Sequence, residues 1–319
     1  MIRKYKSRRQ FNQAEFDRNY RKRKFVSWIT VLLILPFILF VINRLISYEY
    51  YMLISFLIIA GTIFPLMISF EYRKPRAREI VLLSVMVSFC VVSNIICSHT
   101  IPLHAGTAMV VIAGISMGPE AGFLTGVLGR FVCNFFDGQG IWTPWQMTAW
   151  GLIGFISGVS FCKVEKDEKG SRFSIFICVI SGVVVGYFVN LLTGKSDDFI
   201  GWKLYAWMFL GFASGIILQR KKLPMDRFVM ATYTFIIVFV FYGGIMNFAA
   251  VLMQSSFSPD ENPVNADTLR ALYATGAPYD LMHGLGAAFC VFLIGESLLK
   301  KLERIQIKYG IYASMNHSK

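Results

Sequence analysis

Long apolar runs separated by short polar segments make up most of this 319-residue chain. A helix needs roughly 20 residues to cross the hydrocarbon core of a bilayer, and fewer where neighbouring helices bury part of it. Runs of this kind predict an all-α, polytopic transmembrane helix bundle of about ten spans. The predicted spans are 26–47, 50–71, 79–98, 105–118, 120–136, 144–162, 173–193, 201–219, 228–254 and 279–299.

The composition supports the same class of protein. Mean hydropathy is +0.54 and only 16% of the residues are charged, while phenylalanine alone accounts for 29 positions. These values lie outside the range of ordinary soluble domains, so a soluble fold is excluded.

The basic residues predict how the bundle is oriented, because cytoplasmic loops carry an excess of Lys and Arg. With the amino terminus inside, the segments expected in the cytoplasm hold 27 of the 32 basic residues. This arrangement puts both termini in the cytoplasm and explains the net charge of +13 without nucleic-acid binding. The run from Arg18 to Lys24 is a topology anchor or, alternatively, a site for anionic lipid headgroups.

Composition changes along the chain predict four regions. The first two spans are rich in Ile, Leu and Phe, whereas glycines at helical spacing of four begin after them, as expected for closely packed membrane helices. The predicted regions are a basic cytoplasmic tail (1–25), a two-span appendage (26–76), a substrate-binding membrane core (77–304) and a cytoplasmic carboxy-terminal tail (305–319).

Enzyme motifs are missing from the sequence. The triplet Gly194-Lys195-Ser196 ends like a phosphate-binding loop, but Val189 stands where that loop requires its first glycine. The four histidines form no metal-protease pattern, and the six cysteines lie in or beside apolar runs without CxxC spacing. We therefore expect no catalytic residue, no metal and no cofactor.

Polar and aromatic side chains cluster instead where the fifth and sixth predicted spans meet, at the predicted outer end. Polar groups at membrane depth are costly unless they face protein or water. Together with tryptophans, they indicate a pocket with aromatic walls, although an interfacial aromatic belt would use tryptophans too. The candidate binding residues are Arg130, Asn134, Asp137, Gln139, Trp142, Thr143, Trp145 and Gln146, joined by Asp280 and His283 at the start of the last span.

Arg130 is a charge within a predicted span and should have a partner. It either pairs with Asp137 or Asp280 as a structural bridge, or receives an anionic group of a ligand. The sequence leaves these alternatives open.

These residues carry a resemblance to a known family. The segments concerned are Ala113–Gly126, the Gly138-Gln-Gly140 and Trp142-Thr-Pro-Trp-Gln146 turn, Ala149–Gly154, and Tyr279–Gly284 with Lys300–Arg304. They resemble the substrate-binding S components of energy-coupling factor (ECF) transporters over about 79–160 and 275–310.

The resemblance implies a multi-pass protein of the bacterial plasma membrane that captures a vitamin or related micronutrient from outside. It implies partners as well: a membrane coupling subunit, which Ser84 and Ser88 would contact, and two cytoplasmic ATPases that hydrolyse the ATP. Longer members similar to this chain are associated with cobalamin uptake, which implies a corrinoid. The alternatives are a stand-alone membrane carrier and a polytopic membrane enzyme or sensor.

Overall fold

The structure is a computed structural model that describes residues 51–72, 75, 77–100, 103–161, 226–258, 266–309 and 311, with isolated residues between 182 and 210. Every element in these ranges is helical, which confirms the predicted all-α class. The elements are α1 (Tyr51–Ile58), π1 (Ile59–Ile63), α2 (Phe64–Tyr72), α3 (Ala77–Thr100), α4 (Ala105–Met117), α5 (Pro119–Asp137), α6 (Thr143–Phe161), α7 (Arg227–Ile237), π2 (Val238–Tyr242), α8 (Gly243–Phe257), α9 (Ala266–Cys290), π3 (Val291–Gly295) and α10 (Glu296–Lys308).

Two helices are long and apolar enough to cross a membrane, judged by length and composition over the described residues. They are Ala77–Cys97 in α3 and Ala271–Lys308 in the final helical segment. The predicted spans 26–47, 173–193 and 201–219 lie wholly or mostly outside the described residues. The count of about ten spans and the placement of the termini therefore stay predictions.

Helices α4, α5 and α6 form the centre of the bundle, and glycines set how closely they pack. A Cβ atom placed on Gly114 would meet the carbonyl group of Gly154, and one placed on Gly154 would meet the carbonyl group of Gly122. Backbones this close leave no room for a side chain, which is the packing that small residues four apart permit in membrane helices. All 13 residues of α4 are buried as a result.

Gly118 separates α4 from α5 with a φ of 98°, a backbone conformation that side chains rarely adopt. Pro119 then begins α5, where its missing N–H costs no helical hydrogen bond. This single-residue break explains why α4 is as short as the sequence predicts.

The amino-terminal pair α1–π1–α2 packs against α5 and α6. Two side-chain hydrogen bonds fix the contact: the Trp145 indole donates to the Ser55 hydroxyl at 3.2 Å, and the Ser69 hydroxyl donates to the Glu120 carboxylate at 3.5 Å. The appendage is thus joined to the core by polar bonds as well as by apolar contact.

The final helical segment differs from the prediction. The predicted spans 228–254 and 279–299 leave residues 255–278 as the connection between them, but α8 continues to Phe257 and α9 begins at Ala266. Ala, Leu and Arg in 266–277 favour helix, and α9 continues through Pro278. At the other end, α10 extends past the expected boundary at residue 304, and Gln306 donates to the Ser116 carbonyl and hydroxyl at 3.1 and 2.9 Å.

Candidate functional site

The turn between α5 and α6 is held by its own polar side chains. Gly138 ends α5 with a φ of 102°, and its N–H donates to the Asn134 carbonyl. The Thr143 hydroxyl then accepts from the Gly140 N–H and from the Asn134 side chain, and donates to Gln139 Oε1, each at 3.1 Å. Thr143 therefore fixes the start of α6 against the end of α5.

Arg130 lies at the centre of a network that joins the two helices. Its Nε donates to Gln146 Oε1 at 3.0 Å, and the same oxygen accepts from Asn134 Nδ2 at 3.0 Å. Its Nη1 lies 3.3 Å from Asp137 Oδ2, and the two side chains are only 12% and 21% exposed. Of the partners considered for Arg130, the structure places Asp137 beside it.

Two residues that sequence reasoning missed complete this network. Asn94 on α3 donates to Asp137 Oδ2 at 3.3 Å, and the Arg130 guanidinium lies 5.3 Å from the centre of the Trp150 ring. Trp150 could have been found by its position four residues after Gln146, which puts both on one face of α6. Asn94 carries a weaker signal, as a lone amide in an apolar run.

The other candidate side chains of the turn, Trp142, Trp145 and Gln139, lie in different surroundings. Trp142 lies before α6 and is 40% exposed, whereas Trp145 is buried with its ring edge-on to Phe248, 6.3 Å between centres. Gln139 also donates to the Phe131 carbonyl. Spacings of three and four would place Trp142, Trp145 and Gln146 near one face of a helix. Trp142 instead lies before α6, and Gln146 bonds to Arg130 and Asn134.

The carboxy-terminal helices contribute a second polar cluster. The His283 ring on α9 stacks on the His104 ring with 3.9 Å between centres, and the Tyr242 ring meets it edge-on at 4.4 Å. His283 Nε2 lies 2.9 Å from the Thr107 hydroxyl on α4. Burial lowers the pKa of His104, which precedes α4, and the Arg130 guanidinium lowers it further.

Asp280 lies one turn before His283 and is 6% exposed. Its Oδ2 accepts from Asn247 Nδ2 at 2.7 Å, and a Cβ on Gly243 would lie 2.6 Å from its carboxyl group. The close approach of Gly243 lets α8 pack directly against this carboxylate. Asp280, a candidate residue from the sequence, is thus brought together with Asn247.

Several polar atoms in these two clusters have no hydrogen-bond partner among the described residues. They include Asn134 Oδ1, Trp150 Nε1 and His283 Nδ1, and each belongs to a side chain at most 2% exposed. Such an atom costs roughly 1–3 kcal/mol when it is left unpaired in a protein interior. The arrangement can therefore offer hydrogen bonds to a bound molecule.

A different surface lies on the outside of α3. Ser84 and Ser88 are both exposed, and their hydroxyls donate back to the carbonyls of Ile80 and Ser84 at 2.9 Å. Their polarity is thereby satisfied within the helix, so this face presents two small residues between apolar neighbours.

A family model described as "ECF-type riboflavin transporter, S component" matches residues 74–208, which include α3 to α6. The chain is 30% identical over 162 residues to a UPF0397 protein of Aliivibrio fischeri strain MJ11, covering 49% of this chain and 82% of that protein. It is 32% identical over 99 residues to a UPF0397 protein of Vibrio atlanticus, covering 27% and 54% of the two chains. No solved structure matches the chain.

The family-model match includes α3 and the helices that hold the Arg130 network. Together with the relatives, it confirms the resemblance read from the sequence. S components are transporter subunits of the membrane rather than enzymes. In their family they work with a coupling subunit and ATPases. The chain belongs to the S component family of ECF transporters, as a substrate-specific membrane component.

Proposed function

We propose that this chain captures a vitamin or related micronutrient from outside the cell and presents it for ATP-driven uptake by partner subunits. The observation that carries this proposal is the buried polar network of Arg130, Asn134 and Gln146 in the helices that match the family. Buried polar groups in a membrane bundle are costly, and some here still have hydrogen bonds to offer. A captured ligand would use them.

The binding site comprises groups from both halves of the chain. Arg130, Asn134, Asp137, Gln146 and Trp150 supply one wall, and Asp280 and His283 supply the other. The start of α4 supports a single site, because a Cβ on Gly106 would lie 3.0 Å from Trp150 and the next residue, Thr107, lies 2.9 Å from His283 Nε2. Gln139, Trp142 and Thr143 shape its outer turn, whereas Trp145 supports the turn from behind through Ser55 and Phe248.

Riboflavin is the first substrate to test, because the matching family model describes riboflavin transporters. A corrinoid, implied by the resemblance to longer family members, is the second. Both fit an uptake role and differ in size, so they are separable by direct binding.

The partners in this proposal are a membrane coupling subunit, docked on the α3 face at Ser84 and Ser88, and two cytoplasmic ATPases. The chain itself would be a multi-pass protein of the bacterial plasma membrane with both termini in the cytoplasm. Transport would then proceed by tilting of the loaded subunit while ATP hydrolysis in the partners resets the complex.

Direct binding tests the proposal. The full chain is purified in lipid nanodiscs, and riboflavin is titrated by the quenching of its fluorescence, with cyanocobalamin titrated by calorimetry. Saturable binding of either at one site per chain is expected, and bound compounds are identified by mass spectrometry. Turnover of a substrate by the chain alone, or uptake into liposomes without partner subunits, would contradict it in favour of an enzyme or a stand-alone carrier.

A further inference from the structure

The hydrogen bonds of Asn134 reveal which chemical group its side chain has left to offer. Both amide hydrogens are committed, because Nδ2 donates to Thr143 Oγ1 at 3.1 Å and to Gln146 Oε1 at 3.0 Å. The remaining Oδ1 finds no partner in the described part of the chain, and the residue is 0% exposed. A buried amide oxygen accepts hydrogen bonds and cannot donate them. Asn134 therefore has a free acceptor to offer, and only an N–H or O–H group can satisfy it.

The positive charge nearest to this acceptor is already neutralised. Arg130 pairs with Asp137, donates to Gln146 and lies over the Trp150 ring. An anionic ligand at this position would have to compete with Asp137, and one carboxylate beside another in a low-dielectric site is unfavourable. The charges of Arg130 and Asp137 therefore compensate each other, and the network suits a neutral ligand group better than a second anion.

Trp150 supplies a complementary atom, and its ring centre lies 5.3 Å from the same guanidinium. The residue is 1% exposed, and Nε1 has no acceptor among the residues that the structure describes. Gly106 leaves room for the ring, because a Cβ there would lie 3.0 Å from it. An indole N–H is a donor only. The two open atoms of the Arg130 network are thus one acceptor and one donor.

We infer that the buried end of the substrate is uncharged and presents adjacent donor and acceptor groups, with its N–H or O–H received by Asn134 Oδ1 and its acceptor bound by Trp150 Nε1. Amide, imide and lactam groups have this pattern, whereas carboxylates and phosphates do not. The inference rests on the proposed capture function and narrows the chemistry of that same site.

Four probes separate this chemistry from its alternatives: riboflavin, its N3-methyl derivative, cyanocobalamin and nicotinate, a carboxylate with no N–H group. Methylation at N3 removes the imide N–H and leaves the rest of the ring intact. We expect it to weaken riboflavin binding by about 10- to 100-fold, the effect of leaving a buried acceptor unpaired. Nicotinate should not bind, because its carboxylate would oppose Asp137.

Two variants assign the effect to the named atoms. Asn134→Leu removes the acceptor and should lower the affinity for a neutral probe by about 10- to 100-fold. In this variant, N3-methylation of riboflavin should lower the affinity by less than about threefold, because the acceptor is already gone. Trp150→Phe keeps an aromatic ring under Arg130 but removes the N–H, and should cost about tenfold. Thr125→Val is the matched control on α5, because Thr125 is buried and bonds only within its helix.

The outcomes are distinct. Neutral probes that bind the Asn134→Leu and wild-type chains equally would overturn the inference and leave the capture function standing, as would nicotinate binding that requires Arg130. If cyanocobalamin is the probe that binds, its loss in Asn134→Leu supports the inference and its retention overturns it. Failure of all four probes to bind would contradict the capture function and the inference with it. Because N3-methylation leaves the protein unchanged, a misfolded variant does not obscure the result for riboflavin.

Discussion

Helices α3 and α4 are neighbours with similar apolar sequences and opposite surroundings. All 13 residues of α4 are buried, and its glycines bring neighbouring backbones together. In contrast, α3 has a buried side facing the core and an outer side with large exposed apolar residues. These are Ile80, Val81, Val85, Phe89, Val92 and Ile96, with Ser84 and Ser88 among them. Hydrophobicity alone does not separate a helix enclosed by protein from one that meets lipid or a partner; the pattern of small residues does.

The largest effect on stability is expected from adding a side chain between the enclosed helices. Gly154→Ala would place a methyl group against the Gly122 carbonyl and should destabilise the chain by about 1–3 kcal/mol or more. Gly244→Ala is the control, because its Cβ would have only the Tyr273 hydroxyl at 3.9 Å. Thermal unfolding of both in detergent measures the difference. Equal melting temperatures would show that α4, α5 and α6 are not packed as described.

A polar change inside the bundle should affect binding more than folding. Gln146→Ala removes the oxygen that accepts from both Arg130 and Asn134, so the network loses its orientation. We expect the affinity for a neutral probe to fall by about 10- to 100-fold. The same probe is titrated into Ser157→Ala, a buried substitution on the same helix, as the control. Unchanged affinity would remove Gln146 from the site.

On the exposed side of α3, a substitution should affect assembly with a partner and not ligand binding. Ser84→Leu adds bulk to the exposed face of α3 and should reduce association with a coupling subunit roughly tenfold, because close helix packing needs small residues. Ligand affinity of the isolated chain should stay as it is, and Ser84→Ala should assemble normally. Co-purification of the Ser84→Leu complex in full yield would mean that docking uses another surface.

The smallest effect is expected at His104, where the enclosed helix α4 begins. Because burial lowers the pKa of His104 below its ordinary value of 6.5, the folded chain binds fewer protons there than the unfolded chain does. This contribution to stability is present above that pH and is lost as the pH falls below it. Melting temperature should therefore drop slightly between pH 7 and 5, and less so in His104→Gln. An identical pH dependence in the two proteins would exclude His104 as the source.

The sequence was most informative where apolar runs end at residues with special backbone chemistry. Gly118 and Pro119 separate two helices that hydropathy alone would join, and the predicted spans 105–118 and 120–136 match α4 and α5 within a few residues. Gly138 does the same at the outer turn. These positions are local, so single residues suffice to locate them.

Partners across the bundle could not be predicted in the same way. Asn94 reaches Asp137 from another helix, and Ser55 reaches Trp145 across 90 positions, so no spacing rule connects them. The helical start of α9 was missed for a different reason. Gly276 and Pro278 weaken the helical signal of residues 266–277, and the structure nevertheless continues the helix through them.

The bond from Trp145 to Ser55 has a consequence for which part of the chain supports the Arg130 network. The family-model match begins at residue 74, so the hydroxyl that accepts this indole N–H lies before the matched region. It contacts α6, the helix that carries Gln146, and residues 51–72 pack against α5 and α6. The scaffold of the network thus extends beyond the region that the family model covers.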